Sequence, residues 1–166
     1  AVPGLSGACG DVASGCGRGE AHRVSGWRFG VVAGGVSAGG AGAEHFEPAG
    51  DGLRRGIWVE GELHFPPLRA AGLLGPLLVM LRDHGQIWDL LDRLEAQVSD
   101  HDDPAAMHQT YGLLESILGE HNAKEEVIVY PAGDERLTGD VVASIRTALT
   151  TGGPPPGWTC EMAGRG

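Results

Sequence analysis

Beyond Leu53 the apolar positions recur with a helical period, and before it they follow no clear period. From Leu77 to Gln97, the residues Leu77, Met80, Leu81, His84, Ile87, Trp88, Leu91, Leu94 and Glu95 fall at spacings of three and four, which predicts one face of a helix. His84 lies inside that apolar stripe. Gly75 and Pro76 mark the start of the helix and SDHDDP (99–104) its end, with Asp103 placed to cap the next helix ahead of Pro104. That next helix carries Met107, Tyr111, Leu114, Ile117, Leu118, His121, Glu125 and Ile128 on one face. It is predicted to stop at Tyr130-Pro131, because the residue before a proline avoids helical geometry. His121 and Glu125 are four residues apart and stack on the inward face. A shorter amphipathic segment follows Gly139, with Val141, Val142, Ile145 and Leu149 apolar, after which GGPPPGW ends regular structure and leaves 152–166 as a loose tail.

A repeat underlies the pattern. Residues 56–66 read GIWVEGELHFP and residues 121–131 read HNAKEEVIVYP; at an offset of 65, Glu60 pairs with Glu125, Leu63 with Ile128, Phe65 with Tyr130 and Pro66 with Pro131. A histidine precedes each copy, His22 by 34 residues and His84 by 37. A helix pair used twice explains this spacing, and the fold class is all-α.

Composition changes the picture at the N-terminal side. Of 29 glycines, 15 lie in the first 52 residues, and each glycine inside a helix costs roughly 1 kcal/mol relative to alanine. Residues 1–17 are therefore expected as a disordered leader and 18–52 as a weak first helix with a Gly-rich segment, the ordered core starting at Leu53. The 166 residues suit one domain. A net charge of −10 argues against a nucleic-acid or anionic-membrane partner, since both require clustered cations. The best apolar run, Leu73 to Leu81, is interrupted by Gly75 and Pro76 and is far short of the roughly 18 to 20 residues that span a bilayer. The N-terminus lacks a charged start followed by an apolar stretch, so it does not read as a secretory signal. Cys9, Cys16 and Cys160 match neither a zinc knuckle nor a CxxC pair, and are expected as reduced thiols in a cytoplasmic protein.

The chemistry lies in the histidines and acids of the stripes. A buried histidine on one helix facing a His-x-x-x-Glu on its neighbour is what a metal site in a helical bundle requires, and imidazole with carboxylate suits iron, manganese or zinc. Taken singly, an inward histidine is more often a hydrogen-bonded core residue than a ligand, and an acid inside an apolar stripe is explained by a solvated helix end. Taken together they favour a cation, because a carboxylate inside an apolar stripe is costly without one.

PLLVMLRDHGQIWDLLDRLEAQ followed by LLESILGEHNAKEEVIVYP resembles the second half of a bacterial hemerythrin-like (HHE cation-binding) domain, and GLRRGIWVEGELHFPPL resembles the end of its first half. The resemblance covers 53–137 well and 18–52 weakly. It implies an antiparallel up-down four-helix bundle over 18–137, here with a degraded first helix and a short additional C-terminal helix at 138–151. It also implies non-haem iron, one or two ions, that binds a small diatomic ligand such as dioxygen or nitric oxide or serves an iron-linked stress response. Substrate turnover is not implied, and the chain is expected as a monomer or homodimer. Position by position, His84 matches the third-helix histidine, His121 with Glu125 the fourth-helix pair, Glu60 the second-helix carboxylate and His22 the first-helix histidine. Two positions depart from the pattern: Gly56 stands where the family places a histidine, and Gly61 where it places a second acid. A metal-free bundle with a structural role and a catalytic metal enzyme are the rival readings. His64, one turn beyond Glu60, is close enough to be recruited for the absent ligand, but its place before Phe65-Pro66 at a helix end favours a solvent-facing role. His45, His101 and His108 are read as surface residues, Glu126 as pointing away from Glu125, and Tyr111 and Tyr130 as packing residues, with a hydrogen bond to a ligand as the alternative.

Overall fold

A computed structural model describes residues 43–101 and 103–165, with side chains from Gly50 onward; His22, Cys9 and Cys16, and the segment assigned to the leader and weak first helix as far as residue 42, lie outside them. The described residues form helices and no strand: α1 (Ala43–Val59), α2 (Phe65–Ala70), α3 (Leu74–Ser99), α4 (Pro104–Lys124), α5 (Tyr130–Arg136) and α6 (Gly139–Thr151). Two π-helical turns, Glu60–His64 and Glu125–Val129, weld α1 to α2 and α4 to α5, so the described residues make four rods. Connections of two to four residues reverse the direction between them, giving the up-down helical arrangement expected of a hemerythrin-like bundle. The first rod starts at Ala43, upstream of the Leu53 boundary suggested by composition.

The π turns explain why neither proline ends its helix. A proline inside an α-helix removes a hydrogen bond and clashes with the carbonyl four residues back. Here the Phe65 N–H donates to the Glu60 carbonyl and the Tyr130 N–H to the Glu125 carbonyl, both five residues back, and the widened turn admits Pro66 and Pro131. The predicted stop at Tyr130-Pro131 is thus corrected: the helix continues to Arg136. The extra residue in the turn also rotates the faces beyond it. Val129 turns inward, fully buried, and Ile128 goes to the surface at 39% exposure.

The core divides along the rods. Ile57, Ile87, Trp88, Leu91, Leu94, Leu114 and Leu118 pack on one side of the polar cluster described below, and Phe65, Leu68, Leu77, Met80 and Val129 on the other. Arg54 ties α1 to α3: it donates to Asp92 at 2.6 Å and to Glu95, with its guanidinium 5.1 Å from the centre of the Trp88 ring. Asp103 caps α4 as expected, accepting from the Ala105 N–H at 3.1 Å. The last rod, α6, lays Ile145 and Ala148 against Val59 of α1. The segment after Thr151 has no regular structure but is not the loose tail expected from its glycines and prolines. Trp158 packs edge-on against Trp88, Cys160 is buried as a free thiol, and the Gly164 N–H donates to Asp89 at 2.8 Å. Its aromatic and apolar residues cover one end of the α3 stripe that would otherwise face water.

Candidate metal centre

Three of the rods bring a polar cluster into the middle of this apolar interior. Glu60, which opens the π turn after α1, is 2% exposed; His84 on α3 is 1%, His121 on α4 is 4% and Glu125, opening the π turn after α4, is 1%. Glu60 Oε2 lies 2.8 Å from His84 Nε2 and 3.8 Å from His121 Nε2, and Glu125 Oε1 lies 3.6 Å from His121 Nε2. Glu60, His84 and His121 each offer one donor atom within 4.8 Å of the others. The carboxylate at the centre is therefore Glu60, with Glu125 joined through His121.

Neighbouring side chains orient the cluster. The Tyr130 hydroxyl donates to Glu125 Oε2 at 2.8 Å, so this ring both packs and holds a carboxylate, the second of the two roles its sequence position allowed. Lys124 Nζ donates to Asp83 Oδ2 at 2.7 Å, and the same oxygen stands 3.6 Å from His121 Nδ1, just beyond hydrogen-bond length. Asp83 is a partner that periodicity could not supply, because it sits next to His84 on the chain yet faces a different helix. A carboxylate behind a histidine fixes ring orientation and makes the other nitrogen a better donor to a cation.

The buried charges are distributed unequally. Burial, with the adjacent His121, pushes His84 down to about 3. Burial opposes charge on His121 too, but the carboxylates of Asp83, Glu125 and Glu60 overcome it and hold that imidazole up at about 11. Burial and then the nearby Glu60 carboxylate raise Glu125 to about 8. The Tyr130 hydroxyl is raised far above its ordinary value by burial and the same two carboxylates.

His64 corrects the sequence reading most. It was expected to face solvent at a helix end; it is 2% exposed, within the π turn, with its ring stacked on Tyr130 at 6.2 Å and tilted against Phe65 at 5.8 Å. Burial pushes it down to about 4, against the pull of Glu125. His101 and His108 are exposed, as expected. His22 lies outside the described residues.

The donor set fits a metal cation. Glu60 Oε1, Glu125 Oε1, His64 Nε2, His84 Nδ1 and His121 Nδ1 are buried without a hydrogen-bond partner among the described residues. Native interiors leave few such atoms, and two carboxylates in an apolar core are expensive unless a cation meets them. Oxygen and imidazole donors suit a divalent transition metal. A small cleft reaches Glu60 and His121 between Leu53, Ile57, Ile87, Leu118 and Asn122; its volume of about 10 Å³ is on the order of one water molecule's.

Comparison with known proteins agrees with the geometry. No curated protein and no solved structure matches the chain. A family model, the hemerythrin HHE cation binding domain, matches residues 43–132, which is more than half of the chain and contains Glu60, His84, His121 and Glu125. The chain belongs to the hemerythrin HHE cation-binding family.

Proposed function

We propose that the protein holds non-haem iron between its helices through Glu60, His84, His121 and Glu125, with His22 as a further ligand from the N-terminal side, and that the iron binds dioxygen or nitric oxide or senses iron-linked stress. The observation that carries the reading is the convergence of Glu60, His84 and His121 donor atoms within 4.8 Å in a buried interior. Iron so held supplies an open coordination position for a small diatomic ligand. The chain's own residues do the rest. Ile57, Ile87 and Leu118 make the wall of the cleft beside Glu60 and His121 apolar, the kind of lining that suits a small apolar ligand. Asp83 and Tyr130 hold His121 and Glu125 in place.

The test is anaerobic reconstitution with ferrous iron, followed by metal analysis and a thermal melt. At least one iron per chain, lost in His84→Ala, is expected together with a melting temperature that falls on adding chelator. Less than about half an iron per chain, with melting indifferent to iron and to chelator, leaves the metal-free structural bundle as the reading, since a bound ion stabilises the folded state by linkage.

A further inference from the structure

We propose that His64 is a metal ligand, standing in for the histidine that this chain lacks at Gly56 and completing a second ion position with the two carboxylates. The inference rests on the metal-binding reading above and adds to it a residue outside the matched pattern of ligands.

The repeat shows how His64 comes to face inward. At the offset of 65, His64 corresponds to Val129, and both close a π turn that opens at a glutamate. In the second half the widened turn carries Val129 into the interior, where an apolar side chain is packed at 0% exposure. The same rotation buries His64 to 2%, so a polar ring occupies a position that packing alone fills with valine. Its Nε2 has no partner among the described residues, although a buried polar nitrogen without one costs about 1–3 kcal/mol. Packing does not account for that nitrogen, and a ligand does.

The neighbours indicate which ligand. The His64 ring lies nearly parallel to Tyr130, 14° between planes, and the Tyr130 hydroxyl holds Glu125 Oε2. On the carboxylates themselves, Glu60 Oε1 and Glu125 Oε1 are both buried and unpartnered. His64 lies outside the one group of donors that meet within 4.8 Å among the described residues, so any ion it takes is not the one held there by Glu60, His84 and His121 together. One ion is held by Glu60 Oε2, His84 and His121; the second is held by His64 with the remaining carboxylate oxygens of Glu60 and Glu125. Gly56, buried on the preceding turn, offers no donor.

The experiment titrates full-length protein with zinc and with anaerobic ferrous iron, counting ions per chain in the wild type, in His64→Phe, which keeps a ring on Tyr130, and in His84→Ala. Two ions in the wild type and one in His64→Phe are expected. In parallel, nitrogen NMR of the wild type follows the His64 imidazole, whose Nε2 resonance is expected to move to the ligated range in the second binding step; this readout needs no variant to fold. An unmoved His64 resonance while metal binds, or equal metal in the wild type and His64→Phe, overturns the ligand role and leaves the metal-binding reading standing. No metal in the wild type overturns both.

Discussion

Three carboxylates, those of Asp83, Glu60 and Glu125, surround His121 in the metal-free interior, and His121 and Glu125 retain protons there. His121 keeps its proton to about 11 and Glu125 to about 8, whereas His64 and His84 stay neutral down to about 4 and 3. The sign of the stability change follows from comparing these with the ordinary values of 6.5 for histidine and 4.5 for glutamate. Below 6.5, unfolding lets His64 and His84 take up protons, so acidification destabilises; Glu125 works the other way above 4.5 but is outnumbered two to one. Above 6.5, unfolding releases the protons of His121 and Glu125, so alkali destabilises as well. Each net proton is worth about 1.4 kcal/mol per pH unit. Metal-free protein is therefore expected to be most stable near pH 6.5, read as the urea midpoint between pH 4 and 9; a midpoint still climbing at pH 8 contradicts the assignment. Tyr130→Phe removes the donor on Glu125 Oε2 and is expected to lower the stability of the same metal-free protein by about 1–3 kcal/mol, measured by urea unfolding.

The elements show where sequence periodicity reads correctly and where it fails. Both long central helices, the Asp103 cap and the convergence of His84 with His121 follow from a 3.6-residue period and from the breaks at Gly75-Pro76 and Asp103-Pro104, and the repeat singled out Glu60 beside them. That period loses its register where a turn holds an additional residue. Beyond Glu125 the period puts Ile128 inside and the proline rule stops the helix at Pro131, and beyond Glu60 the same proline argument leaves His64 at a solvent-facing helix end; each error falls at one of the two π turns. The trace was available in the sequence as Glu followed five residues later by an aromatic residue and then proline, in both copies. The C-terminal segment failed for a different reason: its order comes from long-range packing on α3 rather than from any local pattern. Gly85 is the contact that permits it, since a Cβ there would stand 2.5 Å from the Met162 carbonyl oxygen and 2.9 Å from its carbonyl carbon. Backbone cannot yield as a side-chain tip can, so Gly85→Ala is expected to cost about 1–3 kcal/mol and to release the segment. Limited proteolysis after Thr151, slow in the wild type and fast in the variant, measures it; equal cleavage would show that Met162 moves aside freely.

At the scale of the molecule, the candidate donors come from three different rods: Glu60 from the first, His84 from α3, and His121 with Glu125 from the third. They approach one another only when the bundle is assembled, so an ion held by them adds its binding free energy to folding, about 2.7 kcal/mol at a free metal concentration one hundred times the dissociation constant. That increment is separable from packing. Leu94, 1% exposed in the apolar cluster on the far part of α3, is ten residues from His84, roughly 15 Å along the helix. Leu94→Ala should lower stability by about 2–5 kcal/mol with and without metal, because it leaves a cavity and touches no donor. Sites so separated act additively, so the gain on adding iron should be the same in Leu94→Ala as in the wild type and absent in His84→Ala. Thermal melts of the three proteins across a metal titration give the comparison. A Leu94→Ala variant that folds but loses the iron-dependent rise would mean that the site depends on the packing of the whole bundle rather than on donors fixed by the neighbouring turns, and the local account of the centre would fail.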